Sequence, residues 1–357
     1  LEETMQATTT ERRRTRPLYK SWKHVLDTCN PPPDAPLDFV SRWLLIVRGC
    51  VFQMTLTSAF IGGMLAAADL QKAGLPFNWL PFILCAIGLV LAHAVNNMVN
   101  DYFDTTGGVD TEDYVRAQYA PHPILAGVIT KSGLRNAILA ANAVDVLIGV
   151  AILLFWGLER GWPLLLFALG GLFISVFYVA PPIRLKHHGL GEPGVFVVWG
   201  PLMIGGTYFA VRGDISPQIF LACIPYALVV TTVLIGKHID KYAADKARGI
   251  NTLPVIFGEK AALRLNQALM ISFYVIVAIL ILTKTVGPWA ALAALAIPRL
   301  INAVKSYSRP RPEKWPNGAP VGPLYYVAVA FYHNKLAGIL FVLGLILNLI
   351  VPVQLPF

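Results

Sequence analysis

Charge is what this sequence has least of. Of its 357 residues only 14% are Asp, Glu, Lys or Arg, where an ordinary soluble domain has about a quarter. With 56% hydrophobic residues and a mean hydropathy of +0.59, that scarcity excludes a soluble globular domain and a disordered chain alike. Cysteine is scarce too. Cys29, Cys50, Cys85 and Cys223 have no CxxC spacing, which argues against a zinc knuckle or dithiol motif. Three of them lie in apolar stretches, where packing is the expected role. No apolar run lies within the first ~40 residues, so no cleavable signal peptide is expected.

Long apolar runs are what the chain has in abundance. Stretches of ~20 residues, enough to cross a hydrocarbon core, recur at about 43–67, 78–100, 134–156, 162–180, 190–211, 217–238, 262–284, 287–304 and 335–354. The expectation is an all-α integral membrane protein: a nine-helix bundle over 41–357, preceded by an N-terminal extension over 1–40. The charges that do occur are unevenly placed. ERRRTR, Lys20 and Lys23 precede the first run, and the loops after runs two, four, six and eight hold most of the other cations. The positive-inside rule then puts the N-terminus and those loops in the cytoplasm, with the chain crossing the cell (inner) membrane repeatedly. The net charge of +9 reads as topology plus attraction to anionic lipid, so no nucleic-acid partner is expected. Pro-rich stretches at 29–36 and 308–323 are irregular.

Two apolar runs end abnormally. In the second, His93, Asn97, Asn100, Asp101 and Asp104 fall at i, i+4, i+7, i+8 and i+11, one stripe of a helix. Five aligned polar groups at membrane depth predict a site, whereas a single Asn would predict only a helix–helix contact. Gly107 and Gly108 let the backbone turn, and Asp110, Glu112 and Asp113 follow. At the end of the sixth run, GKHIDKYAADKARGINTLPVIFG (236–258) interleaves Asp240 and Asp245 with Lys237, Lys241, Lys246 and Arg248. Carboxylates on two helix ends invite a hard cation such as Mg²⁺, and the cations among them suit a metal-bound polyphosphate. Together they point to a diphosphate.

The pair NDYFD…GGVD and KHIDKYAADKARGINTLPVIFG resembles the two aspartate-rich motifs of the UbiA superfamily of intramembrane prenyltransferases. A third segment, YVAPPIRLKHHGLGEPGVFVVWGPLMIGGTY (178–208), is similar to its MenA branch, the 1,4-dihydroxy-2-naphthoate prenyltransferases. The resemblance implies nine transmembrane helices around a central cavity, with a prenyl diphosphate and an aromatic small molecule of the quinone-precursor kind as substrates and Mg²⁺ as cofactor. It places Asn100, Asp101 and Asp104 on one metal and Asp245, with Asp240, on another, as the catalytic groups. Lys186 and Lys237, with Arg184, Arg116, Arg248 and Lys241, are the expected diphosphate contacts, and Asn97 extends the substrate set. Tyr102, Phe103, Tyr178, Trp199, Tyr208 and Tyr226 are candidates to face an allylic cation, with interfacial packing as the competing role.

The resemblance is imperfect at the second motif. Lys241 stands where the first of two aspartates is usual, and Asp240 has slipped by one. Five residues on an ideal helix turn Asp240 about 140° from Asp245, so either Asp240 has left the metal shell or a π-bulge restores its aim, and the bulge is the expectation. In the first motif Thr105 and Thr106 precede the glycines where a basic residue is usual. His122 of PHPILAG stands where an Arg is common; it could accept a proton or hold the diphosphate, but a solvated loop His is the expected reading. These differences keep a second reaction class open, a terpene cyclase acting without an aromatic acceptor. A transporter or channel fits less well, since neither polar stripe continues toward the far leaflet. The oligomeric state, a homo-oligomer included, stays open.

Overall fold

The structure is a computed structural model that describes residues 17–353 apart from 34, 116, 117 and 119. In chain order its main helices are α1 (Leu18–Thr28), α2 (Phe39–Ile46), α3 (Phe52–Lys72), α4 (Trp79–Thr106), α5 (Lys131–Trp156) and α6 (Pro163–Phe177). Then come α7 (Gly191–Arg212), α8 (Ile224–Asp240), α9 (Tyr242–Ala247), α10 (Glu259–Leu282), α11 (Ile297–Tyr307) and α12 (Tyr326–Ile350). Among the described residues no strand forms, only two isolated bridges.

Among the described residues seven helical spans are long and apolar enough to cross a membrane: α3 (counted from Gly49), α4, α5, α7, α8 (counted from Gln218), α10 and α12. The other two expected spans are different objects. Helix α6 has 15 residues, a rise of about 22 Å where the hydrocarbon core is about 30 Å. Pro163 starts it and the YVAPP turn follows it. The eighth run begins as a 3₁₀ segment, Pro288–Ala296, before α11.

The span that ends in α8, Gln218–Asp240, is the most buried of the seven, at 72% against 6% for α5. It packs on α10 and α12, while α3 packs on α7 and α12, and α4 on α5. Fully buried Tyr208, Tyr226, Phe273 and Phe341 fill the space between. Lipid tails are as apolar as these side chains, so association depends on close backbone approach, which small residues permit. A Cβ on Gly62 of α3 would sit 2.3 Å from the Ile204 carbonyl oxygen of α7, and one on Gly236 of α8 would sit 2.9 Å from the Tyr326 carbonyl oxygen. Helix α7 carries a π-helical turn, Val198–Leu202, around Pro201. Proline has no N–H to donate, and in this widened turn the Trp199 carbonyl accepts from Ser58 Oγ of α3 at 2.8 Å.

The described part of the expected extension is ordered. The Trp22 indole donates to Asp38 at 2.9 Å, and Asp38 caps α2 by accepting from the Val40 and Ser41 amides. Cys29 and Cys50 are joined in a disulfide, their Cα atoms 5.5 Å apart, so packing describes only Cys85 and Cys223, which are free and buried. The two Cys were unreadable as a pair because 21 residues separate them.

Gly62→Leu is expected to wedge α3 from α7, costing on the order of 1–3 kcal/mol and lowering the thermal midpoint of the detergent-solubilised protein. An unchanged midpoint would contradict the close α3–α7 contact.

Candidate active site

Helix α4 runs unbroken past its apolar part to Thr106, with His93, Asn97, Asp101 and Asp104 of its polar stripe buried and Asn100 half-buried. His93 meets Thr55 Oγ1 at 2.7 Å, and the Asn97 amide donates to the Val47 carbonyl at 3.0 Å. Asn97 is thus engaged as a strut between helices rather than turned to an open pocket. Beyond it Asp101 and Asp104 are 0% and 5% exposed. A carboxylate that buried needs a cation or several donors. Asp101 is ion-paired with Arg48, and Asp104 accepts from Lys186 Nζ at 2.7 Å. Arg48 has a left-handed backbone (φ 54°) between α2 and the turn into α3. Lys186 lies in the loop between α6 and α7, where its own N–H donates to the Tyr178 carbonyl.

The second polar segment meets the first here, through different residues than expected. Helix α8 ends regularly and no π-bulge occurs in it. Asp240 turns to α12, accepting from the Tyr326 and Val327 amides at 3.0 and 2.9 Å and so capping that helix. Those amides are otherwise unpaired donors at the start of a helix. Lys241 takes the inward position: it is 4% exposed, its Nζ is 3.4 Å from Asp245 Oδ1, and it lies over the Tyr114 ring at 4.5 Å. Asp245, fully buried, also accepts from the Tyr114 hydroxyl.

The loop after α4 completes the enclosure. His122 is buried, and its Nδ1 accepts from the Ile124 and Leu125 amides at 3.3 and 3.4 Å. The proton therefore sits on Nε2, which faces Asp110 at 3.2 Å and Asp101 at 3.6 Å. A solvated His122 was the wrong expectation, because nothing in PHPILAG signals that it folds back under α4. Burial would raise the Asp110 carboxyl, but the His122 hydrogen bond and the charges of Lys186 and Lys241 outweigh it and hold it at about 2. Burial also pushes Lys186 down, which the Asp104 carboxylate more than offsets, whereas burial and the Lys186 charge push Lys241 down to about 8.

These groups surround one cavity. Arg48, Asn100, Asp104, Lys186, Lys237 and Lys241 line it, with Tyr178, Asp110 and His238. Asp101 and Asp245 stand behind it, each bonded to a lining cation. Arg184 is exposed and away from it, and Arg116 lies outside the described residues. Arg248 stays close, over the Tyr114 ring at 4.1 Å and 2.9 Å from Thr111 Oγ1. Of the aromatic candidates Tyr178 reaches the cavity. Trp199 packs edge-on against His93, Tyr226 donates to the Met54 carbonyl in the core, and Tyr208 bonds Asp69 at the other end of the bundle. Sequence reasoning missed Arg48, Tyr114 and the Glu192–His238 pair, whose carboxylate and imidazole lie 2.7 Å apart and buried. The GLGE segment was the only signal for the last.

A hard cation fits this donor set. Asp245 Oδ2 is buried and accepts no hydrogen bond, a rare condition for a carboxylate oxygen.

Residues 56–336 match the family model of the UbiA prenyltransferase family. The chain belongs to that family. This prenyltransferase is 24% identical over 299 residues to the 1,4-dihydroxy-2-naphthoate octaprenyltransferase of Bacillus subtilis, covering 82% of its own length and 90% of the relative's. It is 26% identical over 260 residues to the 2-carboxy-1,4-naphthoquinone phytyltransferase of Synechocystis, with 71% and 78% covered. Among solved structures, a UbiA homolog from Aeropyrum pernix superposes with a TM-score of 0.62 at 18% identity, covering 83% of this chain and 97% of that one. A homolog from Archaeoglobus fulgidus bound to GPP and Mg²⁺ gives 0.56 at 17% identity, covering 87% and 100%. At such identities the likeness shows the fold.

Because Asp240 caps α12, Asp240→Ala is expected to lower stability by roughly 0.5–2 kcal/mol, read as a lower thermal midpoint, with the Mg²⁺ concentration for half-maximal rate unchanged. A large rise in that concentration would return Asp240 to the metal.

Proposed function

We propose that the protein transfers a polyprenyl chain from its diphosphate to a ring carbon of an aromatic acceptor of the dihydroxynaphthoate class, within the membrane and with Mg²⁺. The observation that carries this reading is the meeting of buried Asp101, Asp104 and Asp245 with Arg48, Lys186 and Lys241 around one cavity at the end of an apolar bundle. The naphthoate-type names of the relatives support the acceptor class.

In this reading Asp101, Asp104 and Asp245, with Asn100, hold the metal, while Lys186, Lys237 and Lys241 hold diphosphate oxygens. When bound, Mg²⁺ supplies positive charge to the departing diphosphate. As the allylic C–O bond breaks, both electrons go to the diphosphate. Lys186 and Lys241 then face a charge larger than in the ground state, which is the differential stabilisation that catalysis needs. Tyr178 presents an apolar face to the allylic cation without a basic atom to quench it. A ring carbon of the acceptor then donates its π pair to form the C–C bond, and the ring recovers its conjugation when that carbon's substituent leaves without its bonding pair, as a proton taken up by the released diphosphate or as CO2 from a carboxylate. The apolar bundle accommodates the tail and keeps water from the cation.

The test is purified protein with a prenyl diphosphate, 1,4-dihydroxy-2-naphthoate and Mg²⁺, products read by mass spectrometry. Asp101→Ala is expected to lower the rate by about 10²–10³-fold, and chelation to abolish it. Transfer that survives both unchanged would sink the proposal. The distribution of Lys and Arg supports a cytoplasmic site in the cell membrane. The Cys29–Cys50 disulfide opposes that orientation, because cytosolic thiols keep cysteines reduced, so alkylation in intact cells decides between the two: free thiols at both positions support the cytoplasmic site. A bond that persists in freshly trapped cells would instead favour the opposite orientation.

A further inference from the structure

Resting on that reading, we propose that Lys241 is a resident cation taking the place of a second divalent ion beside Asp245. The diphosphate is then gripped between one divalent ion on the α4 carboxylates and the ammonium groups of Lys241 and Lys186.

Three observations converge on this. First, the segment after α8 brings only one carboxylate to the cavity. Both oxygens of Asp240 are engaged by the Tyr326 and Val327 amides, and Oδ1 of Asp245 is already met by the Tyr114 hydroxyl and by Lys241. One remaining oxygen, Asp245 Oδ2, can serve an ion shared with α4 but is a poor basis for a second shell. Second, the Lys241 ammonium is fixed where that second ion would have to sit. It is 4% exposed, 3.4 Å from Asp245 Oδ1 and 4.5 Å from the centre of the Tyr114 ring. A dication there would be repelled twice as strongly as a single charge, in surroundings that screen poorly. Third, the seat is built for a cation. Tyr114 is 1% exposed and carries both Lys241 and, at 4.1 Å, Arg248 against its ring, the arrangement in which an aromatic quadrupole holds a desolvated positive charge. Lys241 and Asp245 stand at i and i+4, so both point the same way on a helical segment, whereas Asp240 is rotated to α12.

The substitution has a chemical consequence. An ammonium donates hydrogen bonds to phosphate oxygens as a point charge and needs no ion from solution. One of the positive charges on the leaving group is therefore always present, and only the other depends on free Mg²⁺.

The experiment counts ions rather than turnover. The full chain in lipid nanodiscs is titrated with Mn²⁺ in the presence of geranyl thiolodiphosphate, which does not ionise readily, and bound Mn²⁺ is measured by electron paramagnetic resonance. The wild type is expected to bind one Mn²⁺ per chain with the spectrum of an isolated ion. Lys241→Asp is expected to bind two, with spin coupling between them. Lys241→Met is expected to keep a single ion while its affinity for the analogue falls roughly tenfold or more, the loss of one charged hydrogen bond. A spin-coupled pair in the wild type, or unchanged analogue affinity in Lys241→Met, overturns the inference and leaves the transferase reading standing. Failure of the wild type to bind Mn²⁺ with the analogue overturns that reading and this inference with it.

Discussion

Carboxylates do not stay ionised at the buried end of an apolar bundle unless cations are fixed beside them, because desolvation penalises an isolated charge heavily. That constraint organises one end of this molecule. Asp101 is answered by Arg48 from before α3, Asp104 by Lys186 from the loop after α6, and Asp245 by Lys241 from the end of α8. Asp110 is answered by His122 within the loop after α4. Two of these pairs join segments far apart in sequence, so ion pairing holds together a site that no single helix could build. The same pairs pre-position the positive groups, which on the proposed function exchange carboxylate oxygens for phosphate oxygens when substrate and metal arrive.

The end of α8 is where packing and chemistry are separated by rotation alone. Gly236 and Asp240 lie four apart on one face and both address α12, the glycine by admitting the Tyr326 carbonyl and the aspartate by capping the Tyr326 and Val327 amides. Lys237 and Lys241, each one residue later, are turned by about 100° and line the cavity. A displacement of one residue in sequence thus moves a carboxylate from chemistry to architecture and brings an ammonium in.

Much of this was legible in the sequence where the signal was local and periodic. The stripe from His93 to Asp104 follows helix geometry over three turns, and it faces protein as its spacing predicts. The long apolar runs likewise appear as helices. The second motif misled because spacing alone offered two remedies for a slipped aspartate, a bulge in the helix or a different residue at the site. Gly236, four residues before Asp240, was the clue to the second, since it marks the face of α8 pressed on a neighbour. Arg48 and Tyr114 were hidden for another reason. Their partners lie 53 and 131 residues away, and an arginine at the end of an apolar run reads equally well as a topological anchor.

That ambiguity is physical as well as interpretive. Arg48, Lys186, Lys237 and Lys241 belong to the excess of positive charge at one end of the spans, yet all four line the cavity, and Arg48, Lys186 and Lys241 pair with site carboxylates. Some of the charges from which orientation is inferred are therefore the charges of the site. An enzyme whose lipid-soluble substrate carries a polyanionic head needs cations at one membrane face, and once they are there they bias insertion whatever else they do. Pairing them with Asp101, Asp104 and Asp245 keeps the resting cluster near neutrality. It also confines their field to the cavity rather than leaving a basic patch to collect anionic lipid heads, which on the proposed function would compete with the diphosphate.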